Sequence, residues 1–176
     1  TTYSLDVKKE ITELEEILSI ATQAEKQIFD IKLETLLDLL FKVRLEESDA
    51  KFLVFTEFKA TQNYLKEKLV ERGYNTVILN GSMDLDERKA VLKKFEKEAD
   101  IMISTDAGGE GLNLQFCHIV INYDMPWNPM KVEQRIGRVD RIGQTKDVFA
   151  FNFILEETIE NRVRRVLEEK LEIIFR

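Results

Sequence analysis

From Lys51 onward the chain alternates short apolar runs with amphipathic helical patterns, and this alternation restricts the fold more than any other feature. Phe52-Leu53-Val54-Phe55 precedes a segment in which Leu65 and Leu69 recur at i, i+4 and which stops at Gly73, a residue suited to the position just past a helix end. Thr76-Val77-Ile78-Leu79 comes next. A helix opened by Asp84 follows, with Glu87 at the capping-box spacing and Val91, Leu92 and Phe95 turned inward. Ile101-Met102-Ile103 and Ile119-Val120-Ile121 read as two further buried strands separated by a glycine-rich loop. Val148 to Ile154 reads as a last strand, leading into a charged helix from about Thr158 to Ile173. Continuous apolar strands joined by helices imply a mainly parallel sheet covered on both faces, with right-handed crossovers: a doubly wound α/β domain of about five or six strands. Ligands of such a domain lie beyond the carboxyl ends of the strands. Thr56, Asn80-Gly81, Thr105-Asp106 and Tyr123-Asp124 fall there.

Residues 1–47 are strand-free. Ile11, Leu14 and Leu18 make one apolar stripe, and Leu36, Leu39, Leu40 and Val43 make another. The second helix, near Asp30 to Glu46, is expected to pack on the domain; the first is an arm whose apolar face needs a partner elsewhere. A length of 176 residues with 44% hydrophobic content supports one sizeable core. The net charge of −7 provides no global positive field, so any nucleic-acid binding must be local. Cys117 is the only cysteine and His118 the only histidine, which excludes an internal disulfide and a cysteine-cluster metal site and argues against a zinc site or histidine triad. Both residues open an apolar run and read as strand positions. No apolar run approaches the roughly 20 residues of a membrane span, and the first residues do not resemble a signal peptide. A soluble, intracellular chain without membrane partners is expected.

Two segments carry chemistry. In Glu133 to Gln144, Ile136, Val139 and Ile142 form an apolar row at helical spacing, and Arg135, Arg138 and Arg141 form a second row one residue earlier. On a helix capped by Asn128, with Pro129 at its first position, the arginine row would stand about 100° around the axis from the apolar one. Guanidinium forks on a rigid face suit phosphate oxygens; the plain alternative is a solvated charged face. Gly137, which inside a helix costs about 1 kcal/mol relative to alanine, suggests close approach of another group to the backbone. The second segment, Thr105-Asp106-Ala107-Gly108-Gly109-Glu110-Gly111-Leu112-Asn113, directly follows a strand and could aim backbone N–H groups at an anion; a tight strand-to-helix turn with no ligand is the lesser alternative. No Gly-x-x-x-x-Gly-Lys-Ser/Thr occurs, and Asp86-Glu87 sits at a helix start rather than at a strand end. Arginines without a phosphate loop describe half of a machine, in which another lobe holds the nucleotide.

These segments together resemble a known family. Phe52 to Thr56, Asn80-Gly81-Ser82 with Arg88 to Phe95, Ser104 to Leu114, Tyr123 to Pro129 and Gln134 to Gln144 are similar, in order, to the motifs of the second RecA-like lobe of superfamily-two helicases. The Ala-Gly-Gly-x-Gly-Leu-Asn-Leu, Trp-Asn-Pro and Arg-Ile-Gly-Gln forms resemble the Swi/Snf branch of double-stranded DNA translocases, over roughly Ile28 to Glu168. The resemblance implies a RecA-like domain over 28–155, a helical arm or linker over 1–27 and a brace helix over 156–176 that begins near Thr158-Ile159-Glu160. It implies ATP and Mg2+ bound mainly by an absent first lobe. Arg138 and Arg141 would reach that ATP, Arg141 being the better γ-phosphate finger, with Gln134 opening the motif and Gly111 and Asn113 lining the nucleotide side. Thr56, Asn80, Gly81, Ser82, Thr105, Gly108 and Gly109 would face or couple to the DNA backbone. No metal ligands are expected in this lobe. Trp127 is expected to pack, and Asp106, standing where many members carry a basic residue, is not expected to touch phosphate. The implied partners are duplex DNA and the first lobe, in the nucleoid or the nucleus. The isolated chain is expected not to hydrolyse ATP. The lobe of an RNA helicase and a non-catalytic scaffold of the same fold are the alternatives.

Overall fold

The computed structural model describes residues 7, 9–19 and 31–154. The chain divides into two compact units, Thr1–Asp38 and Leu39–Arg176, with the boundary inside a helix. In the first unit, a helical stretch over 9–19 (α1) exposes Ile11, Leu14, Ile17 and Leu18. Helix α2 (Ile31–Glu46) runs across the boundary, and its buried residues are Leu33, Leu36, Leu37 and Leu40. The expected stripe is thus shifted by about one turn toward the helix N-terminus, with Leu39 and Val43 only half-buried.

The larger unit is built from β1 (Phe52–Phe55), α3 (Lys59–Glu71), β2 (Thr76–Leu79), α4 (Leu85–Lys97), β3 (Ile101–Ser104), α5 (Asp106–Gly109), β4 (Ile119–Asn122), α6 (Pro129–Ile136) and β5 (Phe149–Asn152). All pairings are parallel and the strand order is β2-β3-β1-β4-β5, a five-stranded doubly wound sheet. β1 to β4 are almost wholly buried, as their uninterrupted apolar runs require. One face carries Leu53, Phe55, Val77, Leu79, Met102 and Val120 against Phe95 of α4 and against Leu112, Leu114 and Val139. α3 packs on β2 and β3 through an element whose buried residues include Leu65 and Leu69. β5, one of the two edge strands, is the exception: it is shorter than expected and largely exposed, with Phe149 at 53%.

Local chemistry sets the helix ends as anticipated. The Asp84 carboxylate accepts from the N–H groups of Asp86 and Glu87, and the Glu87 side chain accepts from the Asp84 N–H, a complete capping box. Asn128 caps α6, with Pro129 at its first position. Asp84→Ala should therefore lower stability by about 1 kcal/mol, read as a shift of the urea midpoint without change in slope. Cys117 and His118 are buried just ahead of β4 rather than within it. Burial pushes the Cys117 thiol up to about 12, and His118 Nε2 lies 3.0 Å from a Glu47 carboxylate oxygen. The expected charged helix and brace lie outside the described residues, among which no helix is long and apolar enough to cross a membrane.

Candidate functional site at the carboxyl ends of the strands

The register aligns Leu79, Ser104, Phe55, Asn122 and Asn152 across the sheet, so the segments that follow them emerge along one edge. From β1 the chain turns toward the β2 edge and from β4 toward the β5 edge. The crevice between these neighbours is the topological switch point of the fold. A hydrogen bond from the Thr56 hydroxyl to Asp124 crosses it.

Beside that crevice stands Arg135, only 2% exposed and held by four contacts. Its Nε donates to Asp106 Oδ1 at 2.7 Å, its Nη1 donates to Asn122 Oδ1 and the Asp124 carbonyl at 3.0 Å each, and its guanidinium lies 5.1 Å over the Phe55 ring. Nη2 is buried with no hydrogen-bond partner among the described residues. Lys131, one turn earlier on α6, reaches Asp106 Oδ2 at 3.2 Å and Glu57 Oε1 at 3.6 Å. Burial pushes the Asp106 carboxyl up, but the hydrogen bond and charge of Arg135, reinforced by Lys131, outweigh it. The carboxyl titrates below its ordinary value.

Two hollows open on either side of this cluster. The first, about 210 Å³, is lined by Phe55, Gly109, Glu110, Gln134, Arg135 and Arg138 among others; the second, about 580 Å³, by Glu57, Lys59, Gly81, Ser82 and Thr105. Asp106, Ala107 and Lys131 line both and form the wall between them. The structure therefore brings Gln134 and Arg138 to one hollow and Gly81, Ser82 and Thr105 to the other. Arg141 is exposed and lines neither. Gly111 is exposed, and Asn113 lies in a separate hollow with Leu92, Lys93 and Phe116.

Several expectations are corrected here. α6 ends at Ile136: Gly137 caps it, and Arg138 N–H and Val139 N–H then bond three residues back, tightening the chain into turns. The arginines do not form one row. Arg135 is a buried tie, Arg138 is half-buried and Arg141 is exposed; Val139 is buried, but Ile142 is fully exposed and anchors nothing. Gly137 serves the helix end, where an added Cβ would lie 3.2 Å from the Glu133 carbonyl oxygen, rather than the approach of an outside group. Trp127, expected to pack, is 70% exposed in the segment ahead of the Asn128 cap.

The glycine loop also differs from a free anion cradle. Thr105 Oγ1 accepts from Gly108 N–H at 3.3 Å, and the Thr105 carbonyl accepts from Gly109 N–H at 2.8 Å. The glycines are needed for fit: a Cβ on Gly108 would lie 2.5 Å from the Leu79 carbonyl oxygen and 2.7 Å from Asn80 Cα, and one on Gly109 would lie 2.8 Å from the Phe55 ring. Arg88, from α4, donates to the Gly108 carbonyl at 2.7 Å and closes the far side of the loop. Backbone cannot yield as a flexible side chain can, so Gly108→Ala should cost about 3 kcal/mol in thermal or urea unfolding. Gly111→Ala, at φ +75° in open space, should cost about 1 kcal/mol through backbone strain alone.

Sequence reading missed Lys131 and Lys59 as site residues and took Arg135 for one of three equivalent arginines. The signal available was the i, i+4 spacing of Lys131 and Arg135 facing an acid, Asp106, at an unusual place.

An all-parallel sheet in this order, with a charged cluster at its switch point, has the RecA-like fold. A model of the helicase conserved C-terminal domain matches residues 31–143. The uncharacterized ATP-dependent helicase YqhH of Bacillus subtilis (strain 168) is 41% identical over 129 residues, covering 73% of this chain and 23% of that protein. The chromatin-remodeling ATPase INO80 of Kluyveromyces lactis is 36% identical over 142 residues, covering 79% and 9%. The crystal structure of the C-terminal part of the Fun30 ATPase domain superposes with a TM-score of 0.73 at 26% identity, over 89% of this chain and 53% of that one. The chain belongs to the helicase conserved C-terminal domain family, as the second RecA-like lobe of the Swi/Snf type. It spans less than a quarter of the length of these curated relatives.

Proposed function

We propose that the chain is the carboxy-terminal motor lobe of an ATP-dependent double-stranded DNA translocase and supplies charge to a triphosphate held by the other lobe. One observation carries this reading: Gln134 and Arg138 surround one hollow at the switch point, while the sequence contains no lysine-bearing phosphate loop. The γ-phosphoryl group gathers negative charge on its oxygens as it transfers, and an arginine from outside the nucleotide-binding lobe can stabilise it by about 10³- to 10⁵-fold in rate. Arg138 is the first such arginine, held by a backbone that the Leu114 N–H bonds at 2.9 Å. Arg141, exposed on the following turn, approaches only when the lobes close. Completing the site by closure ties hydrolysis to lobe movement, and reciprocating movement against a phosphate backbone is translocation.

The domain reading belongs to the same proposal: a RecA-like body over 28–155, a linker before it and a brace after it. Mg2+ would accompany the triphosphate on the first lobe; among the described residues no group of three or more His, Cys, Asp or Glu could hold a metal ion. The protein would work in the nucleoid or the nucleus, where its DNA is.

The test is ATP hydrolysis by the polypeptide that joins both lobes, with duplex DNA, single strands, RNA or no nucleic acid. Stimulation by duplex DNA supports the translocase. Preference for RNA would make it an RNA helicase lobe, and indifference to every nucleic acid would make it a scaffold. Turnover by the isolated 176-residue chain would refute the half-machine reading.

A further inference from the structure

Resting on the translocase reading, we infer that the phosphate grip of this lobe is ionic and consists of Lys59 and Lys131, with Glu57 and Asp106 as internal competitors that limit it. The groups that the family resemblance assigns to the DNA backbone are largely engaged within the lobe itself. The Thr56 side chain is buried and its hydroxyl donates to Asp124. Thr105 is buried and its hydroxyl accepts from Gly108 N–H, while Gly109 N–H is bound to the Thr105 carbonyl. Asn80 Oδ1 accepts from the N–H and the hydroxyl of Ser82, at 3.2 and 2.6 Å. An entering phosphate oxygen would compete with Asp124 for the Thr56 hydroxyl and with Asn80 for the Ser82 hydroxyl, and the Thr105 hydroxyl is buried.

What the larger hollow still offers is its two cations. Lys59 is exposed at the start of α3, and its Nζ donates to the Ser82 hydroxyl at 3.1 Å, which aims the ammonium across the mouth of the hollow. Lys131, which lines the same hollow, has a 43% exposed side chain. Asp106 can release Lys131 without being stranded, because Arg135 remains on its other oxygen at 2.7 Å. Lys131 can thus exchange carboxylate for phosphate at small cost. The lining carries two positive groups, Lys59 and Lys131, against two negative ones, Glu57 and Asp106, so the empty hollow is electrically balanced. Such a site suits a motor that must let go of the backbone at each step.

The inference predicts a counter-ion signature. Each lysine–phosphate contact contributes about −0.9 to the slope of log K against log salt on duplex DNA. The experiment measures duplex affinity by fluorescence anisotropy for the two-lobe polypeptide between 50 and 200 mM salt, values on the order of those over which such slopes are resolved. Variants are Lys59→Gln, Lys131→Gln and Glu57→Gln, with unfolding midpoints recorded for each. The expected result is that each lysine variant binds about tenfold more weakly at low salt, with its slope shallower by about 0.9. Glu57→Gln, which removes a competitor and a repulsive charge, should bind more tightly. Wild-type slopes retained by both lysine variants, while the wild type still binds and is stimulated by duplex DNA, would overturn this inference alone. No duplex binding or stimulation in the wild type would overturn it together with the translocase reading.

Discussion

Arg138→Ala in the two-lobe polypeptide should lower DNA-stimulated kcat by about 10³-fold while leaving the unfolding midpoint of the lobe within a degree or two. Both halves of that expectation come from where the side chain sits. Arg138 is half-buried at a hollow, and among the described residues no carboxylate pairs with it, so its removal strands no partner. Its structural contribution is made by its carbonyl, which accepts from Leu114 N–H and survives any side-chain change. Arg138→Lys should recover little, because an ammonium cannot reproduce a planar fork on phosphate oxygens. Single-turnover measurements with saturating ATP would separate this loss of chemistry from weaker nucleotide binding. Arg141→Ala measured alongside tests the second arginine. If Arg141→Ala loses 10³-fold and Arg138→Ala loses almost nothing, the assignment of Arg138 fails and the exposed turn carries the finger.

Arg135→Met should do the opposite: it should unfold the lobe before it reveals anything about catalysis. Two elements and the segment after β4 depend on this one guanidinium, through Asp106 on α5, Asn122 on β4 and the carbonyl of Asp124. Removing one partner of a buried charge-assisted cluster leaves the others desolvated, and the expected cost is about 3 to 5 kcal/mol, a large share of a domain's stability. The pH dependence has a definite sign. Because the folded Asp106 carboxyl titrates below its ordinary value of 3.8, its contribution is fully present above that pH and is lost as pH falls through the lowered value. Wild-type stability should therefore fall on acidification below about 3.8 more steeply than that of Arg135→Met. Parallel curves for the two proteins would show that the pair does not contribute in this way.

The strands and some of the element ends were legible where the signal was local. Uninterrupted apolar runs at Phe52–Phe55 and Ile119–Ile121 announced buried parallel strands, and Asp84 with Glu87 announced a capped helix. The arginine segment was misread because a 3.6-residue period was extended through Gly137. Spacing cannot show that Gly137 caps the helix and that the chain continues in tighter turns, since that depends on Val139 finding the core while Ile142 does not. The glycine loop was ambiguous for a related reason. Glycine is equally compatible with an approaching anion and with an approaching strand end, and only the position of Leu79 and Asn80 distinguishes them. Arg135 looked like one of three equivalent arginines, because burial is a property of where α6 lands and not of the Gln-Arg-Ile-Gly-Arg string itself.

The tight seating of Gly108 and Gly109 has a mechanical meaning. With the Leu79 carbonyl, the Asn80 backbone and the Phe55 ring pressed against them, and Arg88 closing the other side, the loop has no slack of its own. It cannot act as a spring that stores a displacement between the two hollows. It is a tooth fixed to the ends of the sheet, so under the proposed translocase function any stroke delivered to a polymer on one side would be a displacement of the sheet as a whole.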